Sequence, residues 1–150
     1  MATTLGPYPV FNNKFSVNLN GRDGSTENFA IIKEMETFTV SIDGNVEEWT
    51  PMETEGWVRR MMTGKGFTIG LNGKRNPSDP GNNYAAGLAW KTGADVNSVL
   101  KWEMPDGTTL TCDVVINVTA PGGGDSVNVD SLELELMSDG KPTMTTAAAT

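Results

Sequence analysis

The sequence predicts a mainly β protein, an antiparallel β-sandwich or barrel with one or two short flanking α-helices. Nearly the same seven letters occur three times, as FSVNLNG, FTVSIDG and FTIGLNG at residues 15–21, 38–44 and 67–73. In each run an aromatic and two aliphatic residues occupy every second position, and an Asn-Gly or Asp-Gly pair follows. Such alternation is typical of a strand with one buried face, and the closing pair is typical of a tight hairpin turn.

Further strands are predicted outside these three runs. Residues 99–104 (VLKWEM) alternate in the same way, and Pro-Asp-Gly at 105–107 predicts a turn that leads into a second alternating run at 109–119. The other predicted strands are residues 131–138 (SLELELMS) and the mainly extended residues 28–36. The inward-facing residues of the late strands are predicted to be Leu100, Trp102, Met104, Leu110, Cys112, Val114, Ile116, Val118, Leu132, Leu134 and Leu136.

The long connection at residues 44–66 is predicted to contain a short helix. Thr50 can act as its N-cap, Pro51 suits the first helical position, and Glu53 completes a capping box. Gly64 can end the helix in the left-handed conformation. At helical spacing one face would carry Trp57, Val58, Met61 and Met62.

A second helix is predicted at residues 79–91, with Asp79 as its cap and Pro80 at its first position. All 150 residues are expected to form one domain. Residues 1–12 are predicted to form an N-terminal arm. Residues 138–150 have no periodic pattern and are predicted to form a flexible C-terminal tail.

Composition argues against an enzyme. The chain has no histidine, and its one cysteine, Cys112, falls at an apolar position of an alternating run, which predicts a buried structural thiol. We therefore expect no catalytic residue, no bound cofactor and no metal site. Nineteen acidic and eleven basic residues give a net charge of −8, which opposes tight binding to nucleic-acid phosphates or anionic lipid. No signal peptide or membrane-spanning segment is expected from the sequence.

Four tryptophans are enough to form a carbohydrate-binding platform if their rings are exposed. Trp102 lies on the apolar face of its predicted strand, and Trp57 and Trp90 lie on apolar faces of the predicted helices, so core packing accounts for these three. Trp49 is the tryptophan expected to project from the surface. A single exposed aromatic residue favours a protein contact over a sugar site.

Five stretches between residues 36 and 143 carry a resemblance to a known family: EGWVRRMMTGK, GKRNPSDPGNNY, WEMPDGTT, VTAPGGGDS and LELELMSDGKP. By their order and spacing the chain resembles the tail tube (major tail) proteins of long-tailed bacteriophages of Gram-positive hosts. The resemblance implies the tail-tube fold, hexameric rings stacked into a hollow tube, and no enzymatic activity. It implies synthesis in the bacterial host cytoplasm and a final place in the virion tail.

The same resemblance implies partners. The subunit would bind further copies of itself and would meet the tape measure, tip and terminator proteins of the tail. DNA would pass through the tube without specific binding, and no membrane contact is implied. The acidic balance fits a wall along which DNA slides.

Two connections are predicted to form the subunit interface. Residues 44–66 correspond in position to the family's long loop, which tends to contact the next ring, and the glycine-rich loop with the C-terminal tail spans residues 122–150. Arg59 and Arg60 are expected to pair with carboxylates of a neighbour, although Trp57 and Met61 could instead pack in the subunit's own core. The predicted interface residues are Trp49, Pro51, Met52, Glu53, Trp57, Arg59, Arg60, Gly122, Gly123, Gly124 and Asp125.

The channel lining stays open at this point, with candidates on the polar strand faces. Glu133, Glu135 and Asp113 are the predicted lumen-facing residues, and Lys101 is a further candidate. Three alternative functions also remain. They are the inner tube of a contractile tail or phage-like particle, a monomeric carbohydrate-binding or adhesin β-sandwich that uses Trp49, and an acid-catalysed hydrolase with paired carboxylates among Glu47, Glu48, Glu53 and Glu55.

Overall fold

One antiparallel sheet carries the fold of residues 6–22 and 28–146, the parts of the chain that the computed structural model describes. The elements are β1 Lys14–Asn18, β2 Phe29–Ile31, β3 Met35–Trp49, β4 Arg59–Lys74, α1 Pro80–Gly87, β5 Asn97–Glu103, β6 Thr109–Ala120, β7 Ser131–Ser138 and β8 Thr143–Thr145, with 3₁₀ turns at Val10–Asn12, Met52–Thr54 and Gly93–Val96. The strand order is β2-β1-β5-β6-β7-β4-β3, with β8 paired to β6. In the described residues α1 is the single α-helix.

The sheet curls until its two ends meet. Phe15 of β1 lies edge-on to Phe38 of β3, with 4.9 Å between ring centroids, and Trp102 of β5 stacks on Phe15 at 5.5 Å. Because β1 and β3 lie near opposite ends of the strand order, their contact requires a strongly curved, barrel-like sheet. The prediction of a mainly β, antiparallel fold with a flanking helix is confirmed.

The core fills the concave side of this sheet. The inward residues predicted for the last strand, Leu132, Leu134 and Leu136, are at most 1% exposed. Those predicted for β6 alternate as expected, since Leu110, Cys112, Val114 and Ile116 are buried and the residues between them are not. The predicted hairpin of β5 and β6, with its turn at residues 105–107, is also present.

Only one of the three Asn-Gly or Asp-Gly pairs makes the predicted turn. Gly21 lies in a turn, whereas Gly44 and Gly73 lie inside β3 and β4, where the strands continue past them. At both glycines another part of the chain comes too close to leave room for a side chain. A Cβ at Gly73 would overlap the carbonyl of Glu34, and one at Gly44 would lie 2.8 Å from the sulfur of Met62.

The helix predicted within residues 44–66 is wrong. That segment is strand, a 3₁₀ turn at Met52–Thr54, and strand again, with pairs running from Asn45 opposite Gly64 to Trp49 opposite Arg59. A helix of this length is marginal without a packed face, and Gly56 in its interior weakens it further. The hairpin satisfies the same backbone groups and extends a ladder that already exists in the barrel.

The second predicted helix is present but shorter. α1 begins at Pro80 with Asp79 as N-cap, whose carboxylate accepts from the Asn82 backbone amide, and it ends at Gly87. Trp90 therefore lies beyond the helix and is 88% exposed, so its predicted place in the core is wrong.

The C-terminus is not wholly as predicted. The predicted flexible tail, residues 138–150, includes β8, which pairs with β6 from Thr143 opposite Thr111 to Thr145 opposite Thr109. Residues 147–150 of that tail lie outside the described residues. Of the predicted N-terminal arm, residues 6–12 are exposed and the first five residues also lie outside the described part.

A buried polar contact set joins α1 to the sheet. Asn82, fully buried, donates from Nδ2 to the carbonyls of Lys33 and Lys74 at 3.0 and 2.9 Å. Its Oδ1 accepts from the Asn76 amide at 3.0 Å. Asp79 Oδ2 accepts from the Lys33 amide at 3.1 Å as well as from the Asn82 amide. Two side chains thus hold the helix, the β2–β3 connection and the end of β4 together.

Asn82→Ala is expected to lower the free energy of unfolding by about 2–5 kcal/mol, because it leaves several backbone groups in this region without partners. Urea denaturation followed by circular dichroism measures the change. Asn83→Ala is the matched control, since Asn83 is exposed and accepts only from Arg75 at 2.8 Å. Equal losses for the two variants would contradict the assigned role of Asn82.

Candidate assembly interface

The far halves of β3 and β4 leave the barrel as a two-stranded hairpin. We call residues 43–66 the arm, and none of them is buried. β4 pairs with β7 only from Thr68 to Lys74. Between Arg59 and Phe67, β3 is therefore the only neighbour of β4 among the described strands. A two-stranded hairpin is only marginally stable alone in water, so this arm depends on the barrel at its base.

The core face of the sheet continues along the arm without cover. By strand alternation Val40, Ile42, Gly44 and Val46 follow Phe38 on the face that is buried in the barrel, and Val46 lies opposite Met62. Four side chains on this face, here called the apolar strip, are partly or largely exposed: Val40 39%, Ile42 67%, Val46 44% and Met62 49%. Uncovered apolar surface of this kind marks a contact site.

The predicted interface residues of the first connection lie on the arm and its tip. Met52 is 98% exposed and Trp57 is 78% exposed, both in the turn region between the strands. The alternative that Trp57 and Met61 pack in the subunit's own core is wrong, because Met61 is 59% exposed as well. Pro51 is half-buried beside them, and Glu53 is exposed.

The two arginines have partners within their own hairpin. Arg60 Nε donates to Glu48 Oε1 at 2.9 Å, and the Arg59 guanidinium lies 5.7 Å from the ring centroid of Trp49, which is 40% exposed. Exposed pairs of this kind are worth at most about 1 kcal/mol each. Their pairing to carboxylates of a neighbouring subunit stays a prediction.

An apolar groove lies at the base of the arm. It has a volume of about 700 Å³ and is lined by residues of β3 and β4, of the barrel strands and of the short strand β8. Its walls include Ile42 and Phe67 from the arm side, Trp102 and Leu110 from the barrel, and Met144 from β8. Two lysines, Lys65 and Lys141, also line it, and none of the acidic residues that the structure describes does. We call this the base groove.

The glycine-rich loop is a separate, exposed feature. Gly123 donates its backbone amide to Asp130 Oδ1 at 2.7 Å, and a Cβ at Gly122 would lie 2.9 Å from the same oxygen. Gly124 and Asp125 are exposed, and so is the nearby Val127, at 92%. The structure therefore gives this loop exposed apolar surface but does not bring it into the base groove.

The three predicted lumen-facing residues share the convex face of the sheet. Glu133 and Glu135 alternate with the buried leucines of β7, and Asp113 alternates with Cys112 and Val114 on β6. Asn72 lies opposite Glu133, and Asn117 lies opposite Glu135. This face is polar and solvent-accessible, and its assignment to a channel stays a prediction.

The described residues offer no assembled catalytic group. Burial raises the pKa of the Cys112 thiol, which is 3% exposed, and this disfavours a reactive thiolate. The carboxylates that are candidates for a hydrolase site lie on the exposed arm, where Glu48 forms an ion pair with Arg60. Residues 6–22 and 28–146 contain no metal-binding cluster of His, Cys, Asp and Glu and no helix long and apolar enough to span a bilayer.

Sequence reasoning missed the apolar strip and the base groove. A signal for the strip was present, because Val46 continues the alternation of Phe38, Val40 and Ile42 past Gly44. The Asp43-Gly44 pair predicts a turn at this point, and that prediction ends the strand β3 too early. The groove has no local signal, because distant segments build it.

No protein-family model matches the chain, and no curated protein sequence matches it. Several solved structures share its fold. A chain from the tail of an empty GTA particle with C6 symmetry aligns with a TM-score of 0.69 at 17% identity, over 93% of this chain and 99% of that chain. A chain from the virion of a native gene transfer agent (GTA) particle gives 0.67 at 16% identity, with the same coverages of 93% and 99%.

A chain from the PVC sheath–tube complex of an extracellular contractile injection system in its extended state also aligns. Its TM-score is 0.60 at 16% identity, over 93% of that chain and 94% of this one. At these identities the likeness shows a shared fold. The chain has the fold of proteins found in phage-like tails and contractile injection systems.

Replacing residues 44–65 by an Asn-Gly turn should leave the free energy of unfolding within about 1 kcal/mol of the wild type, because no buried residue is removed. Urea denaturation measures it. Leu134→Ala, in the core at 1% exposure, is the contrasting variant and should cost about 2–5 kcal/mol. A large loss in the arm-less variant would instead make the arm part of the cooperative core.

Proposed function

We propose that the protein is a structural subunit of a tail tube. The observation that carries the proposal is the arm, on which the core face of the sheet extends into solvent as the apolar strip and ends in the exposed Met52 and Trp57. A subunit that polymerises must leave such surface uncovered until it meets its neighbours. The shared fold with chains of a C6-symmetric tail supports the same proposal.

In the proposed assembly six copies form a ring and rings stack into a hollow tube, in keeping with the C6 symmetry of the GTA tail. The arm then supplies the contact between subunits through Trp49, Pro51, Met52, Glu53, Trp57, Arg59 and Arg60. The loop containing Gly122, Gly123, Gly124 and Asp125 supplies a second contact. The tape measure, tip and terminator proteins of a tail are the further partners proposed.

The proposed channel carries DNA during ejection. Glu133, Glu135 and Asp113 lie together on the convex polar face, and the chain carries a net charge of −8. An acidic wall repels phosphates, so DNA would slide through it without specific binding. A long-tailed phage of a Gram-positive host is the proposed source, with synthesis in the host cytoplasm and a final place in the virion tail.

The inner tube of a contractile particle is a second candidate. The shared fold with a chain of the PVC sheath–tube complex favours it, at a TM-score of 0.60. The two candidates differ in whether a sheath surrounds the tube, and they predict the same behaviour of the isolated subunit. A monomeric glycan-binding module has no comparable support, because Arg59 lies over one face of the Trp49 ring, 5.7 Å from its centroid.

Negative-stain electron microscopy of the concentrated full-length protein should show hollow tubes of uniform diameter with a regular axial repeat. Met52→Gln combined with Trp57→Gln should remain folded and form no tubes, because burial of both side chains between subunits would no longer be favourable. Trp90→Gln is the matched control, since Trp90 is 88% exposed but lies off the arm. Tubes formed equally well by the double variant would contradict the role of the arm, and a wild type that stays monomeric at every concentration would contradict the proposed function.

A further inference from the structure

The tip of the arm and the base groove of the same chain are complementary in chemistry. Met52 and Trp57 are the most exposed large apolar residues of the arm, and they flank the acidic pair Glu53 and Glu55. The tip segment, residues 50–58, contains no basic residue. The base groove is also apolar but carries the opposite charge, with Lys65 and Lys141 and no carboxylate among the described residues that line it.

These charges have no competing partners in the part of the chain that the structure describes. The ion pairs there join Arg22 to Asp139, Arg60 to Glu48, Lys74 to Glu36 and Lys101 to Glu103. Neither lysine of the groove and neither glutamate of the tip takes part in them. Two cations in the groove thus match two anions at the tip.

The tip cannot occupy the groove of its own chain. Ile42 lines the groove at the base of the arm, and β3 stays paired with β4 from there to Trp49 with one bulge after Asn45. Trp49 lies seven residue steps beyond Ile42 along the strand, which corresponds to roughly 23 Å at about 3.3 Å per residue. Folding back would break this ladder, so only another copy can supply the tip.

We propose that the base groove is the receptor for the arm tip of a second copy of this chain. Met52 and Trp57 enter the apolar groove, and Glu53 and Glu55 meet Lys65 and Lys141 at its rim. The groove volume of about 700 Å³ is within the range of about 300–1,000 Å³ that is typical of binding clefts. The inference adds a specific contact to the proposed tube function, and it rests on the self-assembly that this function requires.

The contact joins two different surfaces. Each copy that places its tip in a neighbour still offers its own groove to a third copy, so the interaction propagates from subunit to subunit. The arm base and the groove share Ile42, Lys65 and Phe67. Occupation of the groove would therefore cover part of the apolar strip of the receiving copy.

Charge reversal on each side tests the contact. The tip variant carries Glu53→Lys and Glu55→Lys, and the groove variant carries Lys65→Glu and Lys141→Glu. All four residues are exposed, so both variants should fold like the wild type. Each alone should lose self-association by at least about a hundredfold in Kd, because like charges then meet in the contact.

Mixing the two variants should restore association. The lysine tip of the tip variant fits the glutamate groove of the groove variant. The native tip of the groove variant fits the native groove of the tip variant, so the two variants should alternate in the assembly. Combining all four substitutions in one chain should restore self-association as well. Lys14→Glu with Lys91→Glu is the matched control for the groove variant, since it lowers the net charge by the same amount at exposed sites outside the groove.

Sedimentation velocity measures association, and electron microscopy of the same samples measures tube formation. Single-sided variants that associate like the wild type would overturn the docking contact even if tubes form, and would indicate that the groove holds a small apolar ligand or another protein. A mixture that fails to recover would overturn it too. Rescue of association without any tube would uphold the contact and contradict the proposed tube.

Discussion

The pairing of β3 with β4 is the interaction on which the rest of the structure depends. It runs from Met35 opposite Gly73 to Trp49 opposite Arg59, and only the half next to the barrel is supported by a third strand, β7. One ladder thus belongs both to the core and to the arm. Because an isolated hairpin is marginal in water, the barrel supplies the stability of the arm, and the arm carries the face of the barrel outward.

The barrel must therefore be rigid where the arm leaves it. Phe38, at the inner end of β3, is fixed by Phe15 and Trp102 across the closed end of the sheet. The other end of β4 is fixed by Asn82, which donates hydrogen bonds to the carbonyls of Lys33 and Lys74 and accepts one from the Asn76 amide. Buried polar side chains satisfied in this way specify one arrangement, because any shift would leave their partners unpaired. The direction of the arm follows from the barrel that holds it.

Sequence patterns predicted what depends on local alternation and failed where distant pairing decides. The inward leucines of β7, the hairpin of β5 and β6 and the Asp79 cap of α1 follow from neighbouring residues, and all three are present. The Asp43-Gly44 pair is a turn signal by itself, but pairing of Gly44 with Lys65 keeps it in a strand. The spacing of Trp57, Met61 and Met62 fits a helix face equally well, and only the ladder to β3 excludes it. The base groove joins residues from six strands and the segment between β7 and β8, so no local pattern could have predicted it.

An exposed, apolar hairpin with a free edge invites unspecific pairing, and the arm carries features that oppose it. Thr63 is the extra residue of a bulge, since Asn45 lies opposite Gly64 and Val46 lies opposite Met62. The free edge of β4 also bears Arg59, Arg60 and Lys65, and charged residues at a strand edge discourage edge-to-edge aggregation. These charges leave the apolar strip and the tip uncovered while they restrict the partners that can approach. A chain of net charge −8 repels its own copies at long range, and a contact that buries apolar surface and matches cations to anions at short range opposes that repulsion. Together, the bulge, the charged edge and the net charge favour ordered contacts between subunits over unordered aggregation.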